Sequence, residues 1–186
     1  MAIGHTHSPD DGRRGGLVSN AVGAARDAAG EYAGEEDRPL GSYVGAMTVY
    51  GVAVVAGAGL LRRRRVTLPE RLSAADLALI AVATHKLTRT IAKDSVTSPL
   101  RAPFLRYQEP AGDGEVNEEV RVGGWGHGVG ELLSCPFCLA QWVATAFVGG
   151  LVVAPRATRL VAGVFVTRTG SDLIQLAYAA LEDKAG

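Results

Sequence analysis

The chain is poor in the groups on which most recognisable chemistries depend. It carries 2 cysteines, 2 tryptophans and 4 histidines in 186 residues, and its 19 basic side chains are matched by 19 acidic ones. Two cysteines cannot build a disulfide framework; spaced C-x-x-C, they allow one local bridge, half a metal site or two inert thiols. A formal charge of zero gives no general attraction to nucleic acid or acidic substrates, which argues against nucleic-acid binding. Spacing supports no Ser–His–Asp set, phosphate-cradling glycine loop or pair of facing carboxylates. Residues 1–39 mix Gly, Asp, Arg and Glu without the apolar core of a signal peptide, and predict a disordered tail. His5 and His7 in that tail are close enough in sequence to touch a metal, but a mobile terminus does not preorganise a site.

What the chain does have is apolar residues gathered into runs. The hydrophobic fraction of 47% is ordinary for a soluble protein. Yet Leu132–Pro155 contains no charged side chain, enough helix at 1.5 Å per residue to cross a hydrocarbon layer of about 30 Å. Ser134 is the expected N-cap of this helix and Pro136 suits its first turn, where a missing N–H is not needed. Cys135 and Cys138 would share one face of that turn. Leu40–Leu61 is likewise uncharged and is followed at once by Arg62, Arg63, Arg64 and Arg65, a topology anchor that places this end in the cytoplasm. Gly41 with Gly45, and Ala53 with Gly57, provide small residues for close helix approach.

Two further stretches are less apolar. Ser73–Lys93 begins as a span but carries His85, Lys86, Arg89 and Lys93 in its outer half, so neighbouring helices must shield it. Leu160–Leu181 holds Arg168 and Asp172, four apart and able to neutralise each other along one face. Between them, Asp94–Tyr107 with Pro99 and Pro103 predicts a short interfacial segment. Gln108–Gly130 is polar and acidic, and its EVNEEVRV stretch could form a hairpin or remain a loop. If all four stretches cross, the basic segments 62–71 and 155–159 fall on one side, and the tail, the acidic loop and the C-terminus on the other. The expected fold is therefore an all-α integral membrane bundle of four transmembrane helices, with both termini outside. Its first helix is 40–61, and its remaining three lie in a unit 73–181 with the extramembrane loop 94–130.

Counting residues along straight helices brings His85, Arg89, Cys135, Cys138, Gln141, Arg168 and Asp172 to similar depth in the outer half of the bundle. Polar groups at membrane depth must find one another or water, so these predict one cluster. A helix N-terminus beside a guanidinium favours the thiolate, and residues three apart can form a strained, reducible disulfide, so Cys135 and Cys138 are candidate catalytic thiols. The competing reading makes them small hydrophobes beside a neutral charge knot that fixes helix register. Zinc would need His85 or His127 to complete a four-ligand set, and no metal site is assigned.

The order of THKLTRTIAKDSVTSPLRAPF (Thr84–Phe104), an acidic loop and GELLSCPFCLAQWVA (Gly130–Ala144) resembles the bacterial membrane family known as domain of unknown function 1360. The most specific residues are Leu132, Leu133, Cys135, Pro136, Phe137, Cys138 and Trp142, supported by Arg89, Asp94, Pro99, Leu100 and Arg101. The resemblance covers about 73–181. It implies a membrane location, includes sporulation-associated members, and brings no reaction or cofactor with it. Four-helix membrane oxidoreductases that pass electrons between disulfides and quinones also place C-x-x-C at an outer helix end. They usually carry a second cysteine pair, which this chain lacks, so a quinone is unsupported. The leading expectation is a structural or partner-binding protein in contact with lipid and with a membrane partner or a second copy of itself. A thiol-redox protein or sensor is the alternative, and a small transporter or channel lined by the charged cluster a lower one.

Overall fold

The computed structural model describes residues 39–185, with helical residues at 19–20, 22–24, 27–28 and 30–32. His5 and His7 lie outside the described residues, as does most of the tail read as disordered. Five longer helices and one hairpin follow: α1 (Leu40–Arg63), α2 (Ala74–Ala92), a 3-10 turn (Ser95–Thr97), α3 (Ser98–Arg101), β1 (Leu105–Gly112), β2 (Glu115–Val120), α4 (Trp125–Ser134), α5 (Pro136–Val153) and α6 (Pro155–Ala185). The expected all-α fold is thus corrected to a mostly helical one. The acidic loop contains an antiparallel hairpin in which Leu105 pairs with Val120 and Gly112 with Glu115. Its tight turn is made by Asp113 and Gly114, and Gly114 takes the left-handed φ of 77° that an L side chain resists.

Among the described residues two helices, α1 and α5, are long and apolar enough to cross a membrane, not four. Their mean hydropathies are 1.9 and 1.7, whereas α2 and α6 are diluted by charged residues, among them Lys86, Arg89, Arg168 and Asp172. At 1.5 Å per residue α2 is roughly 28 Å long, close to the thickness of a hydrocarbon layer, and α6 roughly 46 Å.

Local chemistry explains the helix ends. The Ser73 hydroxyl caps α2 by accepting from the Asp76 N–H at 3.0 Å and donating to the Asp76 carboxylate at 2.9 Å. At α5 the cap is Cys135, not Ser134: the Cys135 sulfur accepts from the Cys138 N–H at 3.3 Å, with Pro136 in the first turn. Ser134 instead donates back to the Glu131 carbonyl at 3.2 Å.

Helices α2, α5 and α6 enclose a core of Ile80, Ala83, Phe147, Leu151 and Ala162. Asp76 meets Arg159 near the start of both α2 and α6, and Thr90 meets Arg168 further along both, so these two helices run the same way. Helix α5 turns directly into α6 and is antiparallel to it, with Gly150 so close to Thr158 that a Cβ there would lie 2.7 Å from the hydroxyl. Helix α1 joins from the hairpin end. Ser42 and Gly45 meet α4, and Tyr50, further along, meets Gln141 and Thr145 within α5. Helix α1 therefore points in the same direction as α5.

The contact between α1 and its neighbours is specific. A Cβ on Gly45 would lie 2.3 Å from the Trp125 ring, and one on Gly128 would lie 2.8 Å from Ser42. Gly57, by contrast, approaches nothing within 4 Å, so of the two small-residue pairs the first is used at Gly45 and the second is not used at Gly57. Gln141 donates to the Tyr50 hydroxyl at 2.7 Å, and Thr145 donates to the Gln141 carbonyl at 2.8 Å. That leaves the Thr145 oxygen to accept from Tyr50 at 2.8 Å. Tyr50 also stands edge-on to Trp142, with ring centroids 5.1 Å apart.

Crowding at Gly45 predicts that Gly45→Ala costs about 1–3 kcal/mol, as overpacking does elsewhere. The cost should vanish in a Trp125→Ala background. Thermal unfolding of the four purified proteins in detergent measures both quantities, and an equal cost in the two backgrounds would disprove the contact.

Candidate functional site

The polar residues gather at the hairpin end of the bundle. The second half of α2 supplies His85, Lys86 and Arg89; the turn after it supplies Asp94; β2 supplies Glu115; α6 supplies Arg168 and Asp172. Together they line a cleft of about 680 Å³ whose opposite wall is partly apolar, with Val96, Leu173 and Leu176. Each cation is matched across elements. Lys86 pairs with Asp172. Arg89 holds Glu115 through two bonds of 3.0 and 2.5 Å. Arg168 donates to Asp94 at 2.5 Å and to the Thr90 hydroxyl at 3.0 Å. The expected pairing of Arg168 with Asp172 along one helix face is thus replaced by two pairings between elements, which stitch α6 to α2 and to the turn that follows it.

Beneath this layer lies Arg101, which is 0% exposed. A guanidinium has five N–H donors, and here each has an acceptor. Nε donates to Glu118 at 2.5 Å, Nη1 to the Ile91 carbonyl and the Thr97 hydroxyl at 2.6 Å each, and Nη2 to the Asp94 carbonyl at 3.1 Å and the Ser98 hydroxyl at 3.3 Å. One side chain thereby fastens the end of α2, the turn, α3 and β2. Backbone bonds from Val116 to Lys93 and from Ser95 to Gly114 close the same junction.

The predicted cluster is therefore divided. His85, Arg89, Arg168 and Asp172 share the cleft; Cys135, Cys138 and Gln141 do not line it. Gln141 is engaged with Tyr50. Cys135 and Cys138 are free thiols at the elbow between α4 and α5, the second of them exposed, and Phe137 between them is 89% exposed. His127 faces Glu131 at 3.4 Å, one turn away on α4. Among the described residues no three His, Cys, Asp or Glu side chains converge as a metal set. Lys86, Asp94, Glu115 and Glu118 were not among the predicted site residues. Their partners lie in other elements, so no sequence spacing marks them, although a neutral chain with cations in an apolar helix requires carboxylates from elsewhere.

The opposite end of the bundle is basic. Arg62, Arg63, Arg64, Arg65 and Arg156 are exposed and make no ion pair among the described residues. Arg159 is engaged: it holds Asp76 through bonds of 2.7 and 2.9 Å. This pair precedes the apolar run that starts at Leu77, and Ser73 donates to the same carboxylate.

Residues 79–178 match the family model described as Protein of unknown function (DUF1360). The Sporulation protein YjcA of Bacillus subtilis (strain 168) is 30% identical over 86 residues, which are 45% of this chain and 73% of that protein. No solved structure matches. The matched span takes in the charged cleft, Arg101, the hairpin and the two cysteines, and leaves out α1 and Asp76.

Two outcomes follow from these ion pairs. Arg101→Leu strands the Glu118 carboxylate in a buried site and should destabilise the protein by about 3–5 kcal/mol, with much of the loss recovered by adding Glu118→Leu. Unfolding monitored by circular dichroism in detergent reads this, and no recovery in the double variant would contradict the pairing. Asp76→Asn removes the charge that Arg159 holds through two bonds and should also lower the unfolding midpoint, an effect that should disappear in an Arg159→Gln background; an equal loss in both backgrounds would exclude the ion pair as its source.

Proposed function

The chain belongs to the DUF1360 family, and on that premise we propose that it is a multi-pass integral membrane protein of the bacterial plasma membrane with a structural or partner-binding role. The observation that carries the reading is the common direction of α1 and α5. If both cross the bilayer, the chain must return between them, and α2 is the described helix in that interval with the length to do so. Helix α6 then returns after α5, giving four crossings from two strongly apolar helices and two shielded ones. The shielding is supported by the partners of Lys86, Arg89 and Arg168, since charged groups at membrane depth must be paired or hydrated. The basic end carrying Arg62–Arg65 and Arg156 faces the cytoplasm on this reading, and both termini lie outside.

A structural role is favoured because Lys86, Arg89 and Arg168 in the cleft are already committed to carboxylates of the same chain. Large apolar side chains along α1 and the outer half of α6, among them Val52, Val55, Ile174 and Leu181, stay exposed. They suit lipid or a membrane partner, which includes a second copy of the chain. A second reading has its own support: two free thiols, one exposed, sit at the start of an apolar helix. On it, the Cys135 and Cys138 thiols exchange with a partner disulfide: they close to a disulfide of their own and the partner is released as a dithiol.

One labelling experiment tests both readings in intact cells. A membrane-impermeant maleimide should reach Cys138 from outside, whereas a cysteine placed at Thr67 in a Cys135→Ser/Cys138→Ser chain should react only after permeabilisation. The opposite pattern would refute the topology. If mass spectrometry of the alkylated native protein finds both thiols reduced under oxidising and reducing conditions alike, the redox reading fails.

A further inference from the structure

We infer that the flank of the bundle holds one anionic phospholipid, its acyl chain in the groove between α2, α5 and α6 and its phosphate at Arg156. The inference rests on the membrane reading above and adds a site to it. The groove, about 300 Å³, is lined by Leu87, Val143, Ala146, Phe147, Ala157 and Val161. Its wall is almost wholly apolar; the hydroxyl that borders it, Thr158, already donates to the Ala154 carbonyl at 3.0 Å. In water such a groove would be an exposed apolar patch, but in a bilayer its apolar wall matches the chemistry of a hydrocarbon chain.

The direction of the groove selects the occupant. It starts at Ala157, beside the turn from α5 to α6, and climbs to Leu87 and Val143, roughly 16 Å along the helices at 1.5 Å per residue. A chain lying in it would have its headgroup end at the basic turn. Two arginines stand there with different duties. Arg159 is bound to Asp76 through both of its forked N–H groups, so its charge is already matched. Arg156 is exposed and makes no ion pair among the described residues, and it stands in the first turn of α6, one residue before Ala157 of the groove wall. Arg62–Arg65 close the same end of α1 and add to the positive potential. A phosphodiester carrying a net negative charge matches an unpaired guanidinium; a zwitterionic headgroup brings its own cation and gains less. A transmembrane helix of a second copy would fill the apolar part but would offer no partner to Arg156.

The full chain in detergent, titrated with a phosphatidylglycerol and with a phosphatidylcholine of identical acyl chains, provides the test, with native mass spectrometry counting bound lipid. Phosphatidylglycerol should bind with one high-affinity stoichiometry and more tightly than phosphatidylcholine. Arg156→Gln should weaken phosphatidylglycerol about fivefold, the factor that corresponds to about 1 kcal/mol for one cation at a lipid surface, and leave phosphatidylcholine unchanged. Ala146→Trp, a change at an exposed position that fills the groove, should weaken both lipids; Ala157→Phe serves the same purpose if that variant is poorly folded. Equal binding of the two lipids, a headgroup preference that survives Arg156→Gln, or binding indifferent to groove filling would overturn the proposal. Extraction of the chain from membranes by alkaline carbonate would instead overturn the membrane reading, whereas a carbonate-resistant protein without lipid preference would sink the lipid site alone.

Discussion

Two apolar helices that point the same way impose a return path on the chain between them. Once α1 and α5 are placed in lipid, the polarity of α2 becomes a problem to be solved inside the protein. Lys86 and Arg89 occupy a helix with too few apolar residues to meet lipid on all sides. The solution has two parts. The face carrying Ile80 and Ala83 is buried against α5 and α6, and the cations are led to carboxylates brought by α6 and the hairpin. The hairpin is therefore more than a decoration on a helical bundle, since β2 supplies the acids that α2 and α3 need.

Charge is distributed accordingly. At the hairpin end, cations meet anions from other elements, and Arg101 is buried with every donor used. At the other end, Asp76 matches Arg159 while Arg62–Arg65, Arg71 and Arg156 remain in solvent. Ion pairs of the first kind add little net stability compared with well-packed apolar groups, but they are costly to break singly. Their value is that they define which elements may lie together. On the proposed membrane reading, free arginines of the second kind do the opposite work and commit that end of the molecule to one side of the bilayer.

Much of this was legible in residue order. The apolar runs 40–61 and 132–155 became α1 and α5 because periodicity is not needed to recognise a long uncharged helix, and the family resemblance rested on residues that the matched span includes. The polar identity of His85, Arg89, Arg168 and Asp172 was legible too, and they do line one cleft. Their partners were not. Depth counting assumes straight helices and knows nothing of rotation about the helix axis, which decides that Gln141 turns to Tyr50 and away from the cleft. The hairpin was left open because acidic, weakly alternating strands such as EVNEEV resemble loops until a buried arginine requires them, although Asp113–Gly114 was a turn signal. The misplaced cap has a similar cause: hydroxyl side chains are the usual caps, and a cysteine sulfur did the work one residue later.

The saturation of Arg101 has a consequence for motion. Its five bonds tie the stretch from Ile91 to Ser98, which runs through the end of α2, the turn and α3, to Glu118 on β2. Because a buried guanidinium left with stranded donors is heavily penalised, partial detachment of any one piece is disfavoured, and the junction opens together or stays shut. Amide hydrogens at the end of α2, in the following turn and along the inner half of β2 would then exchange with one common protection, a single cooperative unit mounted on a bundle whose outer helix α1 is attached far more lightly.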